Sequence, residues 1–118
     1  MIYLITGKAG AGKTHYSKAL AKELIDEGIR VVVLDGDEFR QETGNEDFSD
    51  KGRRGNLLGA AKIAADLEAQ GFTVILAFVA PREAWRDEMR SLWRESEVIY
   101  LPGGHPLGGD DIRKTDER

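Results

Sequence analysis

Near the amino terminus, Gly7-Lys8-Ala9-Gly10-Ala11-Gly12-Lys13-Thr14 sets two glycines on either side of four residues and follows the second with lysine and threonine. That order suits a loop that holds phosphate. Glycines let the backbone turn inward so that successive N–H groups converge on phosphate oxygens, and a helix starting at once adds its positive end. The Lys13 ammonium can then neutralise charge between the outer phosphates, and the Thr14 hydroxyl can ligate magnesium. The stretch reads as a site for ATP with Mg2+, formed by Gly7, Lys8, Ala9, Gly10, Ala11, Gly12, Lys13 and Thr14. Within it Lys8 either touches a phosphate or is solvated. His15 has no second ligand spaced with it, so it packs or faces solvent.

Further along, Asp35-Gly36-Asp37 follows an apolar run. Carboxylates at the end of a strand stand in the crevice where open parallel sheets bind ligands. There they can accept the proton of an attacking hydroxyl or hold magnesium through water. The plain alternative is an acidic turn. The candidate catalytic residues are therefore Lys13, Asp35 and Asp37, and the candidate metal ligands are Thr14 and Asp35.

The frame for these groups follows from the apolar pattern, in which short runs alternate with longer helical ones, as in a parallel sheet wrapped by helices. Residues 2–6 read as a strand and 13–27 as a helix, with Tyr16, Ala19, Leu20, Leu24 and Ile25 at helical spacing and Gly28 ending it in a left-handed conformation. Residues 30–34 form a strand whose Val-Val-Val-Leu run predicts burial on both faces. Residues 35–54 are polar and too long for a passive connection, so a functional segment with a short helix is expected there. A helix over 56–70 closed by Gly71, a strand over 72–79, a helix from Pro81 through Arg94 and a strand over 98–101 complete the pattern. The predicted fold is α/β: three layers with a mainly parallel sheet of about four strands, one domain over 1–101, and a polar tail over 102–118 read as loop or disorder.

A chain of 118 residues has room for one domain, and 41% hydrophobic residues is too apolar for disorder. With 17 basic against 21 acidic residues the net charge is −4. That balance argues against broad attraction to nucleic acid or an anionic membrane, though a local arginine cluster could still hold a polyanion. The chain has no cysteine, hence no disulfide framework and no thiolate metal site, and the cytoplasm is the expected compartment. Neither a secretory leader nor a membrane-spanning run is legible.

On these residues the sequence resembles the adenylylsulfate (APS) kinases, phosphate-loop enzymes that move the γ-phosphate of ATP onto the 3′-hydroxyl of adenosine 5′-phosphosulfate. The family's aspartate-glycine-aspartate motif with an arginine three residues on is matched by Asp35, Gly36, Asp37 and Arg40. Its phenylalanine-serine pair, arginine and asparagine are matched by Phe48, Ser49, Arg53 and Asn56, and its Ala-Phe-x-x-Pro stretch with following arginines by Ala77, Phe78, Pro81, Arg86 and Arg90. The resemblance implies that Asp37, Arg40, Phe48, Arg53 and Asn56 bind the acceptor, with Arg40, Arg53 and Asn56 on its phosphosulfate end. Arginine forks match anionic oxygens in paired geometry. Leu58 and Gly59 stand where the family carries two arginines, and Gly52 where it carries an aspartate. Only 17 residues follow Leu101, so the chain reads as a shortened member without the usual lid, as a fragment, or as an enzyme with another acceptor. A modified DNA base or a sugar is the alternative acceptor, and an ATP-binding module without catalysis the alternative function.

Arg82, Arg86, Arg90 and Arg94 recur every four residues among Glu83, Asp87, Glu88 and Glu95, which predicts a solvated face of compensated charge. Trp85, Met89 and Trp93 form a neighbouring stripe assigned to core or to a subunit contact in a homodimer, and His105 in the tail is read as exposed.

Overall fold

The computed structural model describes residues 1–8, 10–43 and 49–102, without the side chains of residues 42 and 43. The elements run β1 (Ile2–Gly7), α1 (Lys13–Asp26), β2 (Val31–Asp35), α2 (Gly36–Thr43), α3 (Asp50–Ala69), β3 (Thr73–Ala77), α4 (Glu83–Arg90) and β4 (Ser96–Leu101). The strands form one sheet in the order β2-β3-β1-β4, with each neighbouring pair parallel.

Side chains alternate across a strand, and here the alternation divides the core into two layers. Ile2 and Leu4 of β1 and Val74 and Leu76 of β3 face one way, against Leu57, Ala60, Ala61 and Ala64 of α3 and Met89 of α4. Ile5 and Ile75 face the other way, with Tyr3, Val31 and Val33 around them, against Ala21, Leu20 and Leu24 of α1. The three-layer α/β expectation is met. The small alanines of α3 let that helix lie close on the sheet. Both long helices end as expected: Gly28 and Gly71 have φ of 86° and 94°. After α3, Gly71 N–H donates to Glu68 O and Phe72 N–H to Leu67 O, closing the last turn.

Several boundaries differ from the sequence reading. β2 is half-buried along its whole length and not enclosed on both faces, because it lies at the sheet edge with β3 as its partner. The helix expected from residue 56 starts at Asp50, with the Ser49 hydroxyl accepting from Gly52 N–H at 3.3 Å. Two glycines and three basic residues in that first stretch hide the helix from an apolar-periodicity argument. α4 covers Glu83–Arg90 and not 81–94, and a turn over Ser91 and Leu92 leads into β4, which begins at Ser96. β3 stops at Ala77, after which the chain crosses the carboxyl end of the sheet. Residues 103–118, with His105 and nearly all of the expected tail, lie outside the described residues. No helix among the described residues is long and apolar enough to cross a membrane.

Candidate active site

At the end of β1 the backbone turns through Gly10 and Gly12, whose φ values of 80° and 92° lie in the left-handed region. Gly12 is the residue before α1, a conformation that strains any side chain, and no side chain caps the helix there. The first-turn N–H groups of α1 are thereby left for an anion. The Lys8 carbonyl accepts from both Ala11 N–H at 3.1 Å and Lys13 Nζ at 3.0 Å, which folds the Lys13 side chain back along the loop. Burial draws the Lys13 ammonium below its ordinary pKa of 10.5, with the charges of Asp37 and Asp35 opposing that shift.

The second strand brings its carboxylates to the same place. Thr14 Oγ1 donates to Asp35 Oδ2 at 2.6 Å, while Asp35 Oδ1 accepts from the backbone N–H groups of Asp37 at 3.0 Å and Glu38 at 3.4 Å. Asp35 thus caps α2 with one oxygen and meets the phosphate loop with the other. Gly36 has a packing reason, since a Cβ there would meet the Phe78 ring at 3.1 Å and Ala77 O at 3.2 Å. Asp37 is exposed, and its charge acts on Lys13.

These groups surround a cavity of about 390 Å³. Gly10, Gly12, Lys13 and Thr14 line one side, Asp35, Gly36 and Asp37 another, and Ala77 and Val79 a third. The volume is of the size that small-ligand sites have. The Thr14 hydroxyl and Asp35 carboxylate form a pair of hard oxygens side by side. That donor set fits magnesium, which takes few protein ligands and keeps waters and phosphate oxygens for the rest.

The structure brings Lys13, Thr14, Asp35 and Asp37 together as expected. It does not bring Arg40, Arg53 or Asn56 to the lining of that cavity. Arg53 and Asn56 lie on the buried face of α3, at 9% and 6% exposure, and Asn56 Oδ1 is sealed from solvent without a hydrogen-bond partner. Arg40 is half-buried on α2. Ala9 and Phe48 lie outside the described residues. Lys8 is not solvated but buried, and His15 is exposed.

The arginine stripe needs correcting. Arg86 is buried and donates to Ala80 O, because it sits three residues before Met89 and seven before Trp93, on the face those residues turn to the core. The spacing to Met89 and Trp93, and not the four-residue arginine repeat, decides which way Arg86 faces. Arg82 reaches Asp50 at 3.4 Å, whereas Arg90 and Arg94 are exposed as expected. Met89 and Trp93 are core, and Trp85 packs against it. Thr6, fully buried at the end of β1, carries no sequence signal of its role, which is to accept from Ala80 N–H at 3.2 Å.

Comparison with known proteins places this geometry. The family model for adenylylsulphate kinase matches residues 1–102. An adenylyl-sulfate kinase of Bacillus velezensis is 38% identical over 103 residues, a match covering 85% of this chain and 52% of that protein. The chain spans about half the length of the curated relatives it matches. Among solved structures, the APS kinase of Mycobacterium tuberculosis in complex with AMPPNP and APS superposes with a TM-score of 0.78 at 25% identity, covering 84% of this chain and 60% of that one. A hexameric APS kinase from Thiobacillus denitrificans superposes with a TM-score of 0.76 at 28% identity, covering 85% of this chain and 21% of that one. The family model covers most of the chain, and the chain belongs to the adenylylsulphate kinase family.

Proposed function

We propose that this chain is an ATP-dependent phosphotransferase whose acceptor is the 3′-hydroxyl of adenosine 5′-phosphosulfate. The observation that carries the reading is the 2.6 Å contact between Thr14 and Asp35 in one cavity with Lys13 and Asp37. The family match supports it, as does the relative whose structure holds AMPPNP and APS.

In this reading the amides from Gly7 to Thr14 cradle the outer phosphates and Lys13 spreads charge on the transferred group. Thr14 and Asp35 hold magnesium, which when bound neutralises phosphate charge. Asp37, exposed beside the cavity, takes the proton of the attacking hydroxyl. The acceptor oxygen bonds to the γ-phosphorus as the bond from that phosphorus to the bridging oxygen breaks, leaving ADP. Arg40, Phe48, Arg53 and Asn56 hold the acceptor, as the family resemblance implies. The working domain is residues 1–101, acting in the cytoplasm, alone or as a homodimer.

The test is ADP release by purified protein given magnesium, ATP and adenosine 5′-phosphosulfate. Release that depends on the phosphosulfate is the expected result. Release with a hydroxymethylated base or a sugar instead would replace the acceptor, and tight ATP binding without any turnover would leave a nucleotide-binding module.

A further inference from the structure

The residues after β3 cross the carboxyl end of the sheet, and one residue among them, Ala80, is held at both its N–H and its C=O. Phe78 N–H donates to Ile5 O at 3.1 Å, continuing the β1–β3 ladder by one bond. Two residues on, Ala80 N–H donates to Thr6 Oγ1 at 3.2 Å while Ala80 O accepts from Nη1 of Arg86. Thr6 and Ala80 are fully buried and Arg86 is 6% exposed, so water cannot replace either partner. The Arg86 guanidinium also lies 5.5 Å from the ring centre of Tyr100, the β4 residue paired with Thr6 on β1. One arginine therefore joins α4, β4 and the crossing segment. That segment is also a cavity wall, since Ala77 and Val79 line the space beside Lys13 and Asp37.

We infer that Arg86 and Thr6 are positioning residues for phosphoryl transfer: together they pin the backbone of Ala80 on both sides of its Cα, and the pinned residue sets where Val79 stands against the reacting groups. Neither touches nucleotide or acceptor. A guanidinium taken out of water to hold a carbonyl beside Met89 and Trp93 is expensive compared with an apolar residue of similar volume. What it adds is a directed, charge-assisted bond at one atom. Misplacing a wall by about 1 Å is enough to lower a transfer rate by roughly a hundredfold.

The inference rests on the phosphotransferase reading, and its test separates the two. Arg86→Gln should lower kcat roughly ten- to hundredfold, while the affinity for ATP measured by calorimetry without acceptor stays within about twofold. Arg86→Lys, which keeps a charged donor, should recover most of the loss. Thr6→Val frees the N–H of the same residue and should act in the same direction, with Thr6→Ser near the parent. Because both changes release the backbone of one residue, the Thr6→Val/Arg86→Gln pair should be little worse than the poorer single variant. Hydrogen exchange at the Ala80 amide, read without any ligand, should be slow in the parent and faster in both variants. If exchange behaves so while the parent ignores adenosine 5′-phosphosulfate, the pin stands and the acceptor assignment falls. A folded Arg86→Gln protein with parental kcat overturns the pin. So does a double variant whose losses multiply, or loss of ATP affinity in step with lost thermal stability.

Discussion

On the phosphate side of the cavity, polar contacts join residues close in sequence. Lys13 reaches Lys8 five positions away, Ser17 reaches Thr14 three away, Asp37 reaches Asp35 two away, and the longest step, Thr14 to Asp35, spans 21. On the side built by α3, α4 and the segment after β3, where the proposed acceptor residues lie, they join distant segments: Ala80 to Thr6 over 74 positions, Arg54 to Glu88 over 34, Arg82 to Asp50 and Trp93 to Ala61 over 32 each. The first side is a loop whose shape the local chain dictates, so its residues are free to spend their chemistry on a ligand. The second exists only when α3, α4 and the end of the sheet have packed. Changes on the phosphate side should therefore strike the chemical step with little loss of fold, and changes on the acceptor side should strike geometry and acceptor binding.

Lys13→Ala gives the largest expected effect. Removing the cation that faces the transferred group should lower turnover by at least about a thousandfold. The fold should survive, because burial already disfavours the charged ammonium and its bond to Lys8 O is one of two that oxygen accepts. Paired assays of ADP release and thermal unfolding check this. A variant that loses cooperative unfolding as well as activity would erase the contrast between the two sides.

The same contrast explains what could be read before the structure. The phosphate loop, the strand ahead of it and the helix behind it follow one another without a break from Ile2 to Asp26, and they are found where the sequence places them. The carboxylate pair at the end of β2 was legible as a candidate, but the bonds that set Asp35 apart from Asp37 were not, because they depend on the Thr14 hydroxyl and the start of α2. β2 carries the apolar run of an enclosed strand yet lies at an edge, since strand order is a long-range property that no run of four residues contains. Thr6 carries no signal for the same reason: its partner, the Ala80 N–H, is a backbone group, and backbone groups have no sequence signature. The burial of Arg86, by contrast, follows from its spacing to Met89 and Trp93.

Arg53→Lys tests the acceptor side with a smaller expected effect. Lysine keeps the charge and most of the length but loses the planar fork. The Michaelis constant for adenosine 5′-phosphosulfate should rise about tenfold, with the constant for ATP unchanged within about twofold. Arg53 is 9% exposed, so unfolding must be measured alongside, and parental stability with a changed acceptor constant is the expected pair. Equal effects on both substrates would move Arg53 out of the acceptor site.

The finest test returns to Lys13 and follows a proton. Burial sets its pKa below 10.5 in the folded protein, so between the two values the folded chain holds fewer protons than the unfolded one. Stability should accordingly gain from this group as pH rises through that window. Nucleotide binding should run the opposite way. The phosphates favour the ammonium and lift its pKa, so a complex formed in the alkaline range, where the triphosphate is fully ionised, must take up a fraction of a proton. ATP affinity should then fall as pH rises through the lowered pKa, sooner than an exposed lysine would allow. Calorimetry in two buffers of different ionisation enthalpy reads the uptake directly. Lys13→Ala supplies the control, for its weakened binding should show no uptake in that range. Uptake that persists in the variant would take the proton away from Lys13 and end its role as the titrating group of the loop.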